Sequence, residues 1–413
     1  MAQFRFLHAA DLHIDSPLVG LSRKSEGFAG RVDEASRQAV DNLISTAIDE
    51  DCSFVVISGD VFDGQWRDYR TGLFFADRMR KLGSAGIQVY LVLGNHDAEN
   101  RFASRLELAA NVHLFPHRKA DTLRLESLRV ALHGRSFHQR DVTENIALDY
   151  PPPLSGWFNI GVLHTSCTGR GWHDLYAPCS GEQLVNHGYD YWALGHVHTR
   201  EIVNCDPYVV YPGNLQGRSP REAGSKGASL ITVDDDRVTN LEHRALDVIR
   251  WSVCTVNLMP CVDLAGVYAL TREALEQAKN AAEGRGLAVR LRFAGATAVH
   301  SAIAVMGSRL REEIETIAAT VSDDVWIEKI ELSTESPHMP ETADPTVAGR
   351  IRATVEELVG DPVFAEVLER KLAEVREKMP AGAHIEDLFS SIRNEGPKRA
   401  LNLALSLIEA QRE

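Results

Sequence analysis

The chain has 413 residues, 44% of them apolar and 25% charged, a composition that excludes wholesale disorder, collagen and a disulfide-stapled miniprotein. Lys and Arg number 44 against 58 Asp and Glu, and the net charge of −14 argues against autonomous, sequence-independent duplex binding, which needs phosphate neutralisation. At about 150 residues per domain, two or three domains are expected.

In chain order, apolar runs at 4–10, 54–58 and 89–93 read as strands, separated by amphipathic helices over 32–50 and 68–82. A hairpin follows over 123–132, then strands at 159–163, 191–194, 208–211 and 228–233. Strands alternating with helices favour a layered α/β domain. The later strands, with few helices between them, point to a mixed sheet or a sandwich of two sheets covered by helices. The style changes near residue 246: strand 251–258, helix 264–282, strand 287–293, one long helix over 298–319 and strand 326–332. Residues 336–341, with two prolines, read as a linker, and from Pro345 the chain is helical, with apolar stripes such as Ile351, Val355, Leu358 and Leu401, Leu405, Ile408. The expected domains are therefore 1–246, 247–335 and a helical segment over 345–413. No apolar run nears the roughly 18–20 residues of a bilayer span, and the N-terminus lacks a signal-peptide h-region. The six cysteines contain no C-x-x-C pair and fit reduced thiols, so a cytoplasmic location is expected.

Thirteen of the sixteen histidines lie before residue 246, so the chemistry is expected there. Polar clusters follow the apolar runs directly: Asp11-Leu12-His13, Gly59-Asp60-Val61-Phe62-Asp63, Gly94-Asn95-His96-Asp97, His164, and Gly195-His196-Val197-His198. Loops at the carboxyl ends of strands in an α/β sheet converge on one edge, so these five would meet there, with glycines 59, 94 and 195 permitting tight turns. Two divalent cations close together repel, and a shared carboxylate offsets that repulsion. Asp60 is the expected bridge; Asp11, His13 and His198 would complete one metal, and Asn95, His164 and His196 the other. Oxygen and imidazole ligands without thiolate favour Mn(II), Fe(II) or Zn(II) over Mg(II). His96 is left without a metal and would protonate a leaving oxygen, a role suited to an imidazole, with Asp97 orienting its ring.

The ordered set D-x-H, G-D-x-F-D, G-N-H-D, H and G-H-x-H resembles the signature of the calcineurin-type metallophosphoesterases. With Tyr211-Pro212-Gly213-Asn214 after the last motif, the chain is similar to the SbcD-type DNA repair exonucleases, above all to the YhaO-like branch. The resemblance covers about residues 4–245 and implies a sandwich of two mixed β-sheets flanked by helices. It further implies a Mn(II)-dependent hydrolysis of phosphodiesters in which a hydroxide activated by two metals attacks in line, with exonuclease direction 3′ to 5′. By order and length it implies a small α+β capping domain over 247–335. The C-terminal helices would then dock on an SMC-like ATPase of the SbcC/YhaN type, and a homodimer is compatible with it. Two rival readings are a small-molecule phosphodiesterase or phosphatase of the same fold, and a non-catalytic scaffold for an ATPase.

Other residues carry plainer readings. His8 reads as a packed strand residue, Arg135 as the partner of a surface carboxylate, and Asp63 as a helix cap or a group behind a ligand. Asn214 and Arg218 read as turn residues near the active edge. The glycine-rich stretch 168–171, with Trp172 and His173, reads as a loop near His164.

Overall fold

The computed structural model describes residues 3–18, 21, 26–64, 69–99, 107–167, 176–337, 347–359 and 361–377, with a few more between 389 and 401. The stretch 168–173 and the stripe residues Leu405 and Ile408 therefore lie outside the described residues, as does most of the linker. The chain divides into two units, Met1–Ser252 with Ala281–Ala288, and Val253–Asn280 with Val289–Glu413.

The first unit is an α/β sandwich of two six-stranded mixed sheets. One holds β1 (Phe4–Ala9), β2 (Phe54–Ser58), β3 (Gln88–Val92), β4 (Val112–Leu114), β11 (Gly227–Asp234) and β12 (Arg237–Ala245), in the order β12-β11-β1-β2-β3-β4. The other holds β5 (Asp121–Leu125), β6 (Val130–Gly134), β7 (Phe158–His164), β8 (Tyr191–Gly195), β9 (Glu201–Cys205) and β10 (Tyr208–Tyr211), in the order β5-β6-β7-β8-β10-β9. β1 to β4 run parallel, as do β6, β7, β8 and β10, while β5, β9, β11 and β12 pair antiparallel at the flanks.

Strand alternation sends the two faces of each apolar run into different cores. Phe6, Phe54, Val56, Phe158, Ile160 and Tyr191 fill one cluster, drawn from both sheets. Leu7, Ala9, Val55 and Ile57 fill another with Val40, Leu43 and Ile44 of helix α1 (Glu26–Asp49) and Phe75 and Met79 of α2 (Arg70–Ser84). Because both faces are covered, the central strands are predominantly apolar on both faces, and each large apolar side chain so buried contributes about 1.5–3 kcal/mol. Edge strands β4, β9 and β12 were not expected. Each is partly exposed and carries polar residues, so none has an apolar run to betray it.

A third, three-stranded sheet has the order β13 (Ile249–Asn257), β14 (Gly286–Ala296) and β15 (Val325–Glu335), with helix α5 (Leu264–Ala281) between the first two in sequence. The single helix expected over 298–319 is two, α6 (His300–Met306) and α7 (Ser308–Val321). Gly307, with φ 54°, breaks it in a backbone region that side chains rarely adopt. Leu310, Ile314 and Ile317 then line the buried stripe of α7, which packs on β15. Helices α8 (Val347–Val359) and α9 (Pro362–Glu377) follow.

Candidate metal centre

The carboxyl ends of β1, β2, β3, β7 and β8 all reach one rim of the first unit. Asp11 and His13 follow β1, Asp60 follows β2, Asn95 and His96 open the short helix α3 (Asn95–Glu99) after β3, His164 ends β7, and His196 and His198 follow β8. Ligand atoms lie within 4.8 Å of one another in three sets: Asp11, His13 and His198; His13, Asp60 and His96; and Asp60, His164 and His196. Asn95 joins the last, its Oδ1 lying 3.0 Å from His164 Nε2. Asp60 Oδ2 is 3.8 Å from His13 Nε2 and 3.5 Å from His164 Nε2, so one carboxylate faces both sides of the cluster.

The loops hold these side chains in strained backbone. Asp11 (φ 51°), His13 (φ 42°), Asp60 (φ 51°) and His196 (φ 101°) all have positive φ, at a cost of order 1–3 kcal/mol each. Hydrogen bonds between loops over-determine them. The amides of Asp11 and His13 donate to the carbonyls of Gly59 and Asp60 at 3.0 and 3.1 Å, continuing the β1–β2 pairing past the strand ends. The His196 amide donates to Asp11 Oδ2 at 3.0 Å, and the His96 amide to Asp60 Oδ1 at 2.9 Å. Of the three glycines, only Gly59 has positive φ. At Gly94 and Gly195 the need is close approach: a Cβ would fall on Asp60 Oδ1 and on the Ser58 carbonyl oxygen, respectively.

The donor chemistry fits divalent cations. Nε2 of His13 and Nε2 of His198 face each other at 3.1 Å. His13 Nδ1 is buried without a hydrogen bond, the nearest carboxylate oxygen, Asp63 Oδ1, lying 3.4 Å away at ion-pair distance only. The donors are oxygen and imidazole nitrogen with no thiolate among them, a set that suits first-row divalent ions. Burial pushes the Asp11 carboxyl up to about 6 against the pull of His198 and His164. Burial also opposes charge on Asp60, yet His164, His13 and His96 hold it well below the carboxylate range. At His164 burial again works against charge, but Asp60 and Asp11 lift the imidazole to about 9, while burial and Arg218 push His13 down to about 3.

His96 is part-exposed, and its Nδ1 lies 3.3 Å from Asp63 Oδ1. The structure corrects the expected partner of this ring. The Asp97 carboxylate instead accepts the amides of Val61, Phe62 and Gly94 at 3.2, 2.9 and 3.0 Å, tying the β2 and β3 loops together. Burial and nearby Asp60 raise Asp97 to about 7, with those amides opposing. Asp63, which also accepts from Ser16 Oγ at 2.8 Å, is the carboxylate beside His96.

His8 is buried between the sheets, Nδ1 3.0 Å from Tyr191 Oη and Nε2 3.1 Å from the Leu194 carbonyl, and Arg135 pairs with Asp149. Asn214 and the backbone amide of Arg218 both donate to Glu222, at 2.9 and 2.7 Å. Glu222, 2.8 Å from His198 Nδ1, was not anticipated, since it lies in a loop outside every motif.

The calcineurin-like phosphoesterase family pattern matches residues 4–200, and that of the metallophosphoesterase YhaO middle domain matches residues 251–335. The metallophosphoesterase YhaO of Bacillus subtilis is 31% identical over 358 residues, covering 84% of this chain and 86% of that one. The chain belongs to the calcineurin-like metallophosphoesterases with a YhaO middle domain. DNA double-strand break repair proteins Mre11 are more distant. That of Methanopyrus kandleri is 26% identical over 277 residues, 60% of this chain and 57% of its own length; that of Halobacterium salinarum is 25% identical over 275 residues, 65% and 67%. Among the described residues of this metallophosphoesterase no helix is long and apolar enough to cross a membrane.

Proposed function

We propose that this metallophosphoesterase is a nuclease that hydrolyses DNA phosphodiesters at a dinuclear centre, in a DNA repair setting. Asp11, His13 and His198 would hold one cation, Asn95, His164 and His196 the other, and Asp60 both. The observation that carries this reading is the position of Asp60, within 3.8 Å of His13 and 3.5 Å of His164, which belong to opposite sets. When bound, two divalent ions, most simply Mn(II) and otherwise Fe(II) or Zn(II), supply Lewis acidity and lower the pKa of water. His96, with Asp63 beside its Nδ1, holds at Nε2 the proton that the leaving oxygen takes. Asp97, through its three amide contacts, keeps the loops bearing Asp60 and Asn95 in register.

The DNA substrate is supported by the Mre11 relatives, whose names declare double-strand break repair. The net charge of −14 favours a helper for DNA affinity, and we assign an SMC-like ATPase partner to the C-terminal segment 345–413. The same charge is what favours a second reading, a phosphodiesterase for small diesters. The test is degradation of linear, circular and single-stranded DNA with Mn(II), beside bis-p-nitrophenyl phosphate and a phosphomonoester. Mn(II)-dependent DNA cleavage that stops on chelation is expected. Hydrolysis of the small diester with every DNA left intact would overturn the nuclease reading in favour of the second.

A further inference from the structure

We propose that Glu222 is a positioning residue that sets the tautomer and ring orientation of His198, and thereby makes the two cation positions unequal. The inference rests on the dinuclear reading above. Glu222 ends a short 3-10 turn, Pro220–Glu222, in the loop between β10 and β11. Its Oε1 lies 2.8 Å from His198 Nδ1, with both side chains largely buried.

The contact is informative because a second group competes for the same nitrogen. Arg218 Nη2 stands 3.1 Å from His198 Nδ1. A guanidinium only donates, so it would ask Nδ1 for a lone pair and put the ring proton on Nε2, where a metal ligand needs its lone pair. A carboxylate only accepts, so it asks Nδ1 for the proton and leaves Nε2 free. The shorter distance belongs to the carboxylate, and a lone pair facing Oε1 at 2.8 Å would be repulsive. Arg218 Nη2 has an acceptor of its own in Glu222 Oε1, at 3.4 Å. Both facts select the tautomer with Nδ1–H donating to Glu222 and Nε2 aimed at His13 Nε2, 3.1 Å away.

Glu222 is itself fixed before it acts. Its Oε2 accepts from Asn214 Nδ2 at 2.9 Å and from the Arg218 amide at 2.7 Å. The backbone of His198 is held from the same side, its carbonyl accepting from Lys226 Nζ at 2.7 Å. This gives the Tyr211-Pro212-Gly213-Asn214 segment a task that its sequence did not reveal: Asn214 holds the carboxylate that holds the ligand.

On the other side of the cluster the backing is different. His164 Nδ1 lies 2.9 Å from the Ser58 carbonyl, a neutral acceptor. An anionic acceptor behind an imidazole raises its basicity as a ligand more than a carbonyl does, and removing such a partner typically costs about 10–100-fold in metal affinity. Glu222 should therefore control the cation held by Asp11, His13 and His198, leaving the other nearly untouched.

The test is Mn(II) titration of the full chain by calorimetry, on wild type, Glu222→Gln and Arg218→Met, with melting of the metal-free proteins alongside. Wild type is expected to bind two Mn(II). Glu222→Gln, which can still accept a hydrogen bond but has no charge, is expected to weaken one of the two by about 10–100-fold, keep the other, and melt as wild type does. Excess Mn(II) should then restore its turnover, which it would not do for a collapsed site. Arg218→Met, which leaves the carboxylate in place, should not weaken either site. Two unchanged affinities in Glu222→Gln overturn the inference while the dinuclear reading stands. Equal weakening of both sites with a lowered melting temperature also overturns it, since Glu222 would then be a structural strut. A wild-type chain that binds no Mn(II), Fe(II) or Zn(II) at all sinks the dinuclear reading, and this inference with it.

Discussion

The rim of the first unit and the body of the second obey opposite rules. Among the described residues of the second unit, positive φ occurs only at Gly295 and Gly307. Its buried polar side chains are Thr271, Thr297 and Thr334, whose hydroxyls bond to the Val267 carbonyl, the Cys261 carbonyl and His300. At the rim, Asp11, His13, Asp60 and His196 combine positive φ with burial of ionisable groups. A region selected only for stability relaxes to common backbone angles and apolar fill. Strain and buried charge persist where another interaction compensates them, and cations shared among these ligands would do so.

Removing Asp60 should break this contrast most completely. In Asp60→Ala both cations and turnover of bis-p-nitrophenyl phosphate are expected to fall to background, checked by elemental analysis of the purified protein. Two ions retained per chain would show that this carboxylate is no bridge. His96→Ala is expected to keep its metal and lose about 10²–10⁴-fold in rate. If the metal leaves instead, His96 is a ligand, as its presence in a set with His13 and Asp60 allows.

A buried histidine away from the rim sharpens the comparison by pH. His133 is enclosed by Thr122 and Asn159, and burial lowers its pKa to about 4. The unfolded chain then takes up this proton more readily than the folded one. Stability from this group is whole above about pH 6.5 and is lost as pH falls toward 4, by at most about 3 kcal/mol. Urea midpoints at pH 7 and pH 4.5 should therefore differ less in metal-free His133→Gln than in wild type, and equal differences would assign the slope to another group. The smallest effect is expected in the second unit, where Gly307→Ala should cost about 1–2 kcal/mol through backbone strain alone, with phosphoesterase turnover unchanged. A Cβ there meets no atom within 4 Å, so a larger loss would mean that the break between α6 and α7 does more than turn the chain.

How far the fold was legible follows from what each element needed. Strands β1, β2, β3, β7 and β8 announce themselves because both faces are covered and apolar residues dominate each run. β12, Arg237-Val-Thr-Asn-Leu-Glu-His-Arg-Ala245, shows no such run, and only its pairing with β11 makes it a strand. Periodicity ran unbroken across 298–319, and the backbone angle at Gly307 overrode it. At the centre, adjacency in sequence pointed to Asp97 as the partner of His96. Once Asn95 opens a helix, the Asp97 side chain turns back to the strand loops, and Asp63 takes the place beside the ring.

Read as a sequence, then, this chain settles which donors it owns and in what order: carboxylates, an asparagine and imidazoles, each placed directly after an apolar run. That much is covalent, and hydrophobic burial of the runs sends their ends to one edge. Which donors meet, which φ angles they are forced into, and which carboxylate stands behind His96 or His198 were decided by packing alone. Those are separations between groups far apart along the chain, set by how two sheets close on a common core, and no local pattern encodes them.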